Sequence, residues 1–422
     1  MARTLQDWLA YIEQQHPKSI ELGLERSREV ALRLALGKPA THVITVGGTN
    51  GKGSTVAFIE AIARAAGLKV GTYTSPHLLR YNERVRLQGA DVDDSALLRG
   101  FEAVEAARCG IALTYFEFGT LAALWLFQQA ALDLVVLEVG LGGRLDAVNI
   151  VDADVAVITT VDIDHVDWLG CDRESIGFEK AGIARAWKPL VLGEVDSPSS
   201  VLGHAYAIGA NAIRLGSDFF HETVDAAHWR WRDAGFEVEL PTPSLAAPVQ
   251  QANAATAIAA LRALDITLPV AALAHGVASA VLPGRLQHFT LQGMPVIVDV
   301  GHNPQAARTL AAWLRAAPVP GHTLAVFAAL ADKDAAGVVD ALADEVSVWF
   351  LAGLDGVAGR GQSVDALAAK LSSSAASQGS SHANVPLALQ AARARAQDGD
   401  RIVVFGSFHT VAEAMAILHS GQ

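Results

Sequence analysis

The segment Val43-Ile44-Thr45-Val46-Gly47-Gly48-Thr49-Asn50-Gly51-Lys52-Gly53-Ser54-Thr55 constrains this chain more than any other. An apolar strand runs into a glycine-rich turn and then into a lysine and a hydroxyl pair, which is the build of a phosphate cradle at the start of a helix. Glycines let the backbone take positive φ and bring successive N–H groups against phosphate oxygens. A helix beginning near Ser54 adds about +0.5 charge at its N-terminus. In this reading Asn50, Gly51, Lys52 and Gly53 form the cradle, Lys52 meets the β- and γ-phosphates, and the hydroxyl of Ser54 or Thr55 meets Mg²⁺. The loop is a variant, because Gly47 lies only four residues before Gly51 and Gly53 separates Lys52 from Ser54.

A chain of 422 residues exceeds one ordinary core, so two domains are expected. With 51% apolar and 6% aromatic residues the composition suits an alanine-rich α/β protein. A formal charge of −12 argues against a nucleic-acid surface, and an anionic substrate must meet a local basic patch. Cys109 and Cys171 have no metal-like spacing and make no disulfide framework, which fits a reducing cytoplasm. The first residues, MARTLQDWLAYIEQQH, lack the apolar core of a signal peptide. The most apolar stretch, residues 121–139, is interrupted by Gln128, Gln129 and Asp133 and reads as a buried helix followed by a strand, with no membrane span.

Strands and helices alternate after the loop. Helices are expected near 54–66, 120–131 and 173–186, and strands near 68–74, 134–137, 155–158 and 190–192. Strands apolar on both faces specify a mostly parallel sheet covered by helices, with ligands beyond the carboxyl ends of the strands. Residues 215–243 read as a small antiparallel insertion. A second series, with strands near 296–300, 324–328, 346–351 and 402–405, follows Pro283-Gly284. The expected architecture is α/β: an N-terminal P-loop domain over 1–283 and a smaller, Rossmann-like C-terminal domain over 284–422, hinged so that a cleft closes on substrates. The serine-rich run 372–381 reads as a mobile loop.

Several residues stand where chemistry is done. Glu138 ends a strand of the loop's sheet, as an acid on the Mg²⁺ side should. The following Gly140-Leu141-Gly142-Gly143-Arg144 combines close backbone approach with an anion-holding arginine. His165, within Asp162-Ile163-Asp164-His165-Val166-Asp167, can bind metal through a neutral ring nitrogen, although Mg²⁺ prefers oxygen. Lys180 lies in an expected helix, where periodicity alone makes it a solvated side chain. Asn303 before Pro304 is a helix start, which leaves Asp299 and His302 unexplained by capping.

Taken in order, GTNGKGS at 48–54, SPHL at 75–78, ERVR at 83–86, TYFEFGT at 114–120, LEVGLGGRLDAVNIV at 137–151, DHVDWLG at 164–170, EKAGI at 179–183, NAATA at 253–257, PGRLQ at 283–287, DVGHNP at 299–304 and GSFHTVAE at 406–413 make a chain that resembles the folylpolyglutamate synthase family, within the Mur-type amide ligases. TYFEFGT, together with Ile20-Glu21-Leu22-Gly23-Leu24, is similar to the bifunctional bacterial type, which is also a dihydrofolate synthase. The resemblance implies an ADP-forming ligase in which ATP phosphorylates a pterin acid, dihydropteroate or tetrahydrofolate, and L-glutamate attacks the acyl phosphate.

Matching positions carry implied roles. Ser54, Glu138 and His165 would be Mg²⁺ ligands, and Lys180 would be carbamylated and help to hold a second Mg²⁺, which requires a neutral amine and so a depressed lysine pKa. Asn253, Arg285 and Asp299 would join Asn50, Gly51, Lys52 and Gly53 around ATP. His302 and Ser407 would hold glutamate. Glu21, Leu22, Gly23, Thr114, Tyr115, Phe116, Glu117, Leu145, Asp146 and Ala147 would line the dihydropteroate site. Lys52, Lys180 and His302 would serve catalysis, in a cytoplasmic monomer without nucleic-acid or membrane partners. Gly47 stands where alanine is often seen, and the family uses threonine as well as serine at position 54. The alternatives are a monofunctional folylpolyglutamate synthase, a Mur-type ligase of cell-wall precursors, which would need a separate UDP-binding domain ahead of the loop, and a nucleotide switch, which has no need of Asp299 and His302.

Overall fold

A computed structural model describes residues 3–18, 20–357 and 359–420. The chain divides into two compact units, Met1–Ser244 with Gln250–Val281, and Leu245–Val249 with Leu282–Gln422.

The first unit is built on an eight-stranded sheet of β1 (Ala40–Gly47), β2 (Val70–Tyr73), β3 (Val85–Leu87), β4 (Ala90–Asp91), β5 (Leu132–Glu138), β6 (Val155–Ile158), β7 (Pro189–Leu192) and β8 (Asn211–Arg214), in the order β4-β3-β2-β5-β1-β6-β7-β8. The run from β2 to β8 is parallel, and only the short β3 and β4 turn antiparallel at one edge. Val43, Ile44 and Val46 of β1 and residues 134–137 of β5 are fully buried on both faces, because helices cover both sides of the sheet. On one side the helix Lys52–Ala65 buries Phe58, Ile59 and Ile62, each contributing about 1.5–3 kcal/mol of transfer free energy. On the other, Phe101, Phe118 and Phe127 pack with Val135 and Leu137.

Element boundaries show which local signals decide. The cradle helix starts at Lys52, ahead of the expected 54, with Gly51 as its left-handed cap. The helix expected from 120 begins at Tyr115, because Thr114 and Glu117 form a capping box: Thr114 Oγ1 accepts from Glu117 N, and Thr114 N donates to Glu117 Oε2 at 2.8 Å. The helix expected to reach 186 ends at Ala181, where Gly182 runs against Arg144. The insertion is a three-stranded antiparallel sheet, β9 (Phe219–Thr223), β10 (His228–Asp233) and β11 (Glu237–Pro241), with Trp229 and Trp231 buried.

The second unit carries β12 (Gln287–Leu291), β13 (Met294–Asp299), β14 (Thr323–Phe327), β15 (Val348–Ala352), β16 (Ser380–His382) and β17 (Arg401–Phe405), in the order β12-β13-β17-β14-β15-β16. All but the β12–β13 pairing are parallel. The serine-rich run is not wholly a loop, since Ser380 and Ser381 pair with Phe350 and Leu351 as an edge strand. An edge strand with a solvated face tolerates serine, because the ladder is made by backbone and not by side chains.

One close approach in the first unit is testable. A Cβ on Gly276 of the helix Val270–Ser279 would lie 2.5 Å from Ile62 Cα, against backbone that cannot yield without moving a helix. Gly276→Ala is expected to cost about 1–3 kcal/mol by overpacking, and an unchanged melting temperature would show that these helices have room.

Candidate active site

The cradle is held by its neighbour in the sheet. Thr49 N donates to Thr160 O at 2.8 Å, Asn50 N to Thr160 Oγ1 at 3.0 Å, and Thr49 Oγ1 to Asp162 O at 3.0 Å, while Thr159 Oγ1 donates to Asn50 O. Two glycines are obligatory. At Gly48 (φ +146°) a Cβ would stand 1.9 Å from Thr159 Oγ1, and at Gly51 (φ +83°) 2.6 Å from Asn253 Oδ1, which sets Asn253 directly behind the loop. Lys52 Nζ folds back to Gly48 O at 3.1 Å and Thr49 O at 3.4 Å. Of the two hydroxyls left open by the sequence, that of Thr55 is sealed in the interior with no hydrogen-bond partner among the described residues. Ser54 therefore remains the candidate for the metal.

Glu138 closes β5 opposite Val46 of β1, one residue before the cradle's first glycine, and its Oε2 accepts from Ser75 N at 3.1 Å. His165 takes a left-handed conformation (φ +53°) as the cap of the turn Val166–Leu169. Its N–H donates to Asp164 Oδ1 at 2.8 Å. Lys180, 4% exposed, is not a solvated lysine. Burial, reinforced by the positive charge of Lys52, lowers its pKa to about 7, against the opposing pull of Asp164, Glu194 and Asp146. Asp146 is pushed up to about 7 by burial, although Leu141, Val148 and Gly140 donate backbone N–H bonds to it and Lys52 favours its charge. Glu194 is likewise raised to about 7 by burial. Lys52, Lys180, Asp146 and Asp164 thus share one electrostatic neighbourhood.

The donor set fits Mg²⁺ in one particular way. A carboxylate at Glu138 and a hydroxyl at Ser54 are hard oxygen ligands, yet the described residues contain no group of three or more His, Cys, Asp or Glu arranged to hold a metal. Such a set suits an ion that keeps waters and shares its remaining positions with substrate phosphates. Lys180 as an ammonium repels a cation, and only its carbamate could contribute.

The segments assigned to the pterin acid do meet. Gly23 N donates to Leu145 O at 3.4 Å. Arg26 links two of them, donating to Glu117 Oε1 at 3.0 Å and to Glu21 O at 3.2 Å, and His16 Nε2 lies 2.7 Å from Glu21 Oε2. Leu22 lies between the Glu21 and Gly23 contacts. Glu117 spends its carboxylate on Arg26, Ser27 and the Thr114 cap, so its role is to hold the segments together. Asp146 caps the short turn Ala147–Ile150. Phe116 packs on Tyr73, and burial raises the Tyr115 phenol to about 12.

Sequence reading missed the cation of this region. Arg84, 8% exposed, donates through Nε to His77 Nδ1 at 2.8 Å and lies over the rings of Tyr81 and Tyr115 at 5.3 and 5.6 Å. No carboxylate among the described residues forms an ion pair with it. A guanidinium buried without a counter-charge is costly, which marks where an anionic group fits. Its signal was the ERVR motif, which carries no periodicity that separates Arg84 from a surface arginine.

In the second unit the assigned residues gather at the carboxyl ends of the adjacent strands β13 and β17. Asp299 accepts from Leu286 N at 3.0 Å and Gly301 N at 2.7 Å, which fixes the turn that carries Arg285. The ring of Phe408 lies 5.8 Å from the Arg285 guanidinium and 6.4 Å from the His302 ring. His302 Nδ1 meets Val300 O at 3.0 Å, so that nitrogen carries the proton. Ser407 Oγ lies 2.6 Å from Thr410 Oγ1 and accepts from Thr410 N, so it caps the first turn of the helix Phe408–Ser420.

Comparison with known proteins matches both halves of this arrangement. Residues 46–261 match the Mur ligase middle domain and residues 284–408 the Mur ligase glutamate ligase domain. The dihydrofolate synthase/folylpolyglutamate synthase of Escherichia coli (strain K12) is 50% identical over 418 residues, 99% of this chain and 96% of the relative. Among solved structures, E. coli FolC in complex with DHPP and ADP superposes with a TM-score of 0.93 at 49% identity, covering 99% of this chain and 98% of that one. A bifunctional folylpolyglutamate synthase/dihydrofolate synthase with Mn, AMPPNP and L-glutamate bound superposes with a TM-score of 0.90 at 47% identity, again over 99% and 98% of the two chains. A cradle at the centre of a parallel sheet, a second α/β unit and identity of this extent lead to one conclusion: the chain belongs to the dihydrofolate synthase/folylpolyglutamate synthase family of Mur-type ligases.

Proposed function

We propose that this chain is an ATP-dependent amide ligase that joins L-glutamate to dihydropteroate and to tetrahydrofolate. The observation that carries the reading is the Lys52 cradle, in a chain half identical to the E. coli bifunctional enzyme over nearly its whole length. The first unit supplies the cradle, Asn253 and the pterin-acid segments, and the second supplies Arg285 and Asp299 for ATP and His302 and Ser407 for glutamate.

The chemistry follows from charge. A carboxylate oxygen of the acid attacks the γ-phosphorus and ADP leaves; the amine of glutamate then attacks the acyl carbon and orthophosphate leaves. Phosphoryl transfer needs positioning and neutralisation more than bond-making by the protein. Lys52 and the N–H groups of residues 51–53 do this for the phosphates, and in this reading Arg84 meets the negative charge of the acid. Mg²⁺ held by Ser54, Glu138 and His165 would neutralise further phosphate charge. Holding the acyl phosphate beside the amine makes the second step effectively intramolecular, worth about 7–11 kcal/mol in ideal cases.

Carbamylation of Lys180 is supported by its electrostatics. The ammonium first loses a proton; the neutral amine then attacks CO₂ and releases a second proton, so a cation repelled by Lys52 ends as an anion attracted to it. Because the amine's pKa stands at about 7, it is charged below that pH and neutral above it. The enzyme is read as a cytoplasmic monomer.

Three outcomes test these assignments. Incubation with ATP, glutamate and either dihydropteroate or tetrahydrofolate should give a one-glutamate mass increase in both acceptors, and failure of one leaves a monofunctional enzyme. Lys52→Ala should abolish ADP formation, and near-normal turnover would remove the cradle assignment. With ¹³C-bicarbonate, a carbamate signal should grow as pH rises from 6 to 8, vanish in Lys180→Ala, and be replaced functionally in that variant, in part, by added acetate; a signal absent throughout would exclude the modification.

A further inference from the structure

Residues 74–84 form a closed loop whose ends meet, with Thr74 N donating to Arg84 O at 2.9 Å and Thr74 Oγ1 to Glu83 O at 3.3 Å. Inside it one carboxylate gathers three consecutive backbone N–H groups. Glu83 Oε2 accepts from Leu78 N at 2.6 Å, and Oε1 accepts from Leu79 N at 2.7 Å and Arg80 N at 2.6 Å. Charge-assisted bonds of this length are the strong ones, and three of them aimed at one side chain define the backbone path of residues 78–80. The loop so shaped makes one contact outward and one across itself. At its start, Ser75 N–H binds Glu138, and at its middle His77 receives the Nε–H of Arg84.

We infer that Glu83 is a positioning residue for the acceptor-acid site: by folding residues 78–80 onto its own carboxylate, it places His77 so that Arg84 keeps its guanidinium against the paired rings of Tyr81 and Tyr115 and directed at the acid's negative charge. The inference rests on the reading of Arg84 as the acid's counter-charge. Glutamate is specifically required. A glutamine of the same shape offers one acceptor oxygen where two are in use, and turns an NH₂ group toward a backbone donor.

The test compares Glu83→Gln with Arg84→Gln in the full-length enzyme, reading the KM of dihydropteroate, the KM of ATP, kcat, and amide hydrogen exchange of residues 78–80. For Glu83→Gln the expected result is a rise of about tenfold or more in the KM of dihydropteroate, the size one charge-assisted hydrogen bond carries, with the KM of ATP unchanged and protection lost at 78–80 but kept in the strands. A purely structural role would instead lower the apparent kcat through loss of folded protein and leave both KM values unchanged. If Arg84→Gln raises the dihydropteroate KM and Glu83→Gln does not, the positioning role is overturned. If Arg84→Gln leaves that KM unchanged, the assignment of Arg84 falls by itself. Should Glu83→Gln fail to fold, the wild-type enzyme still decides: amides 78–80 exchanging as fast as unprotected loop would overturn the inference.

Discussion

Everything in the nucleotide half depends on the close passage of the glycine loop against the end of its neighbouring strand. Gly48 crosses Thr159 at a separation that no side chain could occupy, and Thr159 and Thr160 then take up the polar groups of Thr49 and Asn50. The loop N–H groups are not left to find phosphate by flexing. The bonds of Thr49 and Asn50 to Thr159 and Thr160, just past β6, hold the N–H groups of residues 51–53 in advance, and preorganised donors of this kind stabilise developing charge without reorganisation cost at the moment of reaction.

Preorganisation brings positive charges together, and the site manages them by burial. Burial first, and then the positive charge of Lys52, push Lys180 toward neutrality, while Asp146 and Glu194, also buried, are held near the point of protonation. Groups poised in this way respond to whatever charge arrives next. In the proposed reading Arg84 is the counterpart at the acid-binding end, a buried cation beside aromatic faces with no ion-paired carboxylate among the described residues. The loop of residues 74–84 touches Glu138 through Ser75 and itself carries Arg84, whose Nε–H it holds on His77.

Much of this was legible before any coordinates. The phosphate loop, the parallel sheet, the Glu138 strand end and the antiparallel insertion each follow from local pattern, because glycine, apolar runs and strand-end acids mean the same thing in most contexts. Other features were present as signals but outweighed. The Thr114–Glu117 capping box starts a helix that periodicity placed several residues later, and the serine-rich run disguised an edge strand that backbone pairing alone sustains. Lys180 shows the other limit: a lysine on a helix reads as solvated, and only packing reveals that its amine has no water to reach.

The sequence by itself determined the kinds of chemistry available: a phosphate cradle, oxygen donors for a hard metal ion, a lysine and a set of arginines in a fixed order along an α/β chain. These are local properties, carried by residues within a few positions of each other. Tertiary structure alone decided which of those charges would be buried, and beside what. Burial and proximity in three dimensions are what push Lys180 toward neutrality and leave Arg84 with no ion-paired carboxylate among the described residues, since the cost of desolvating a charge depends on neighbours brought in from distant segments and not on the residues adjoining it in the chain.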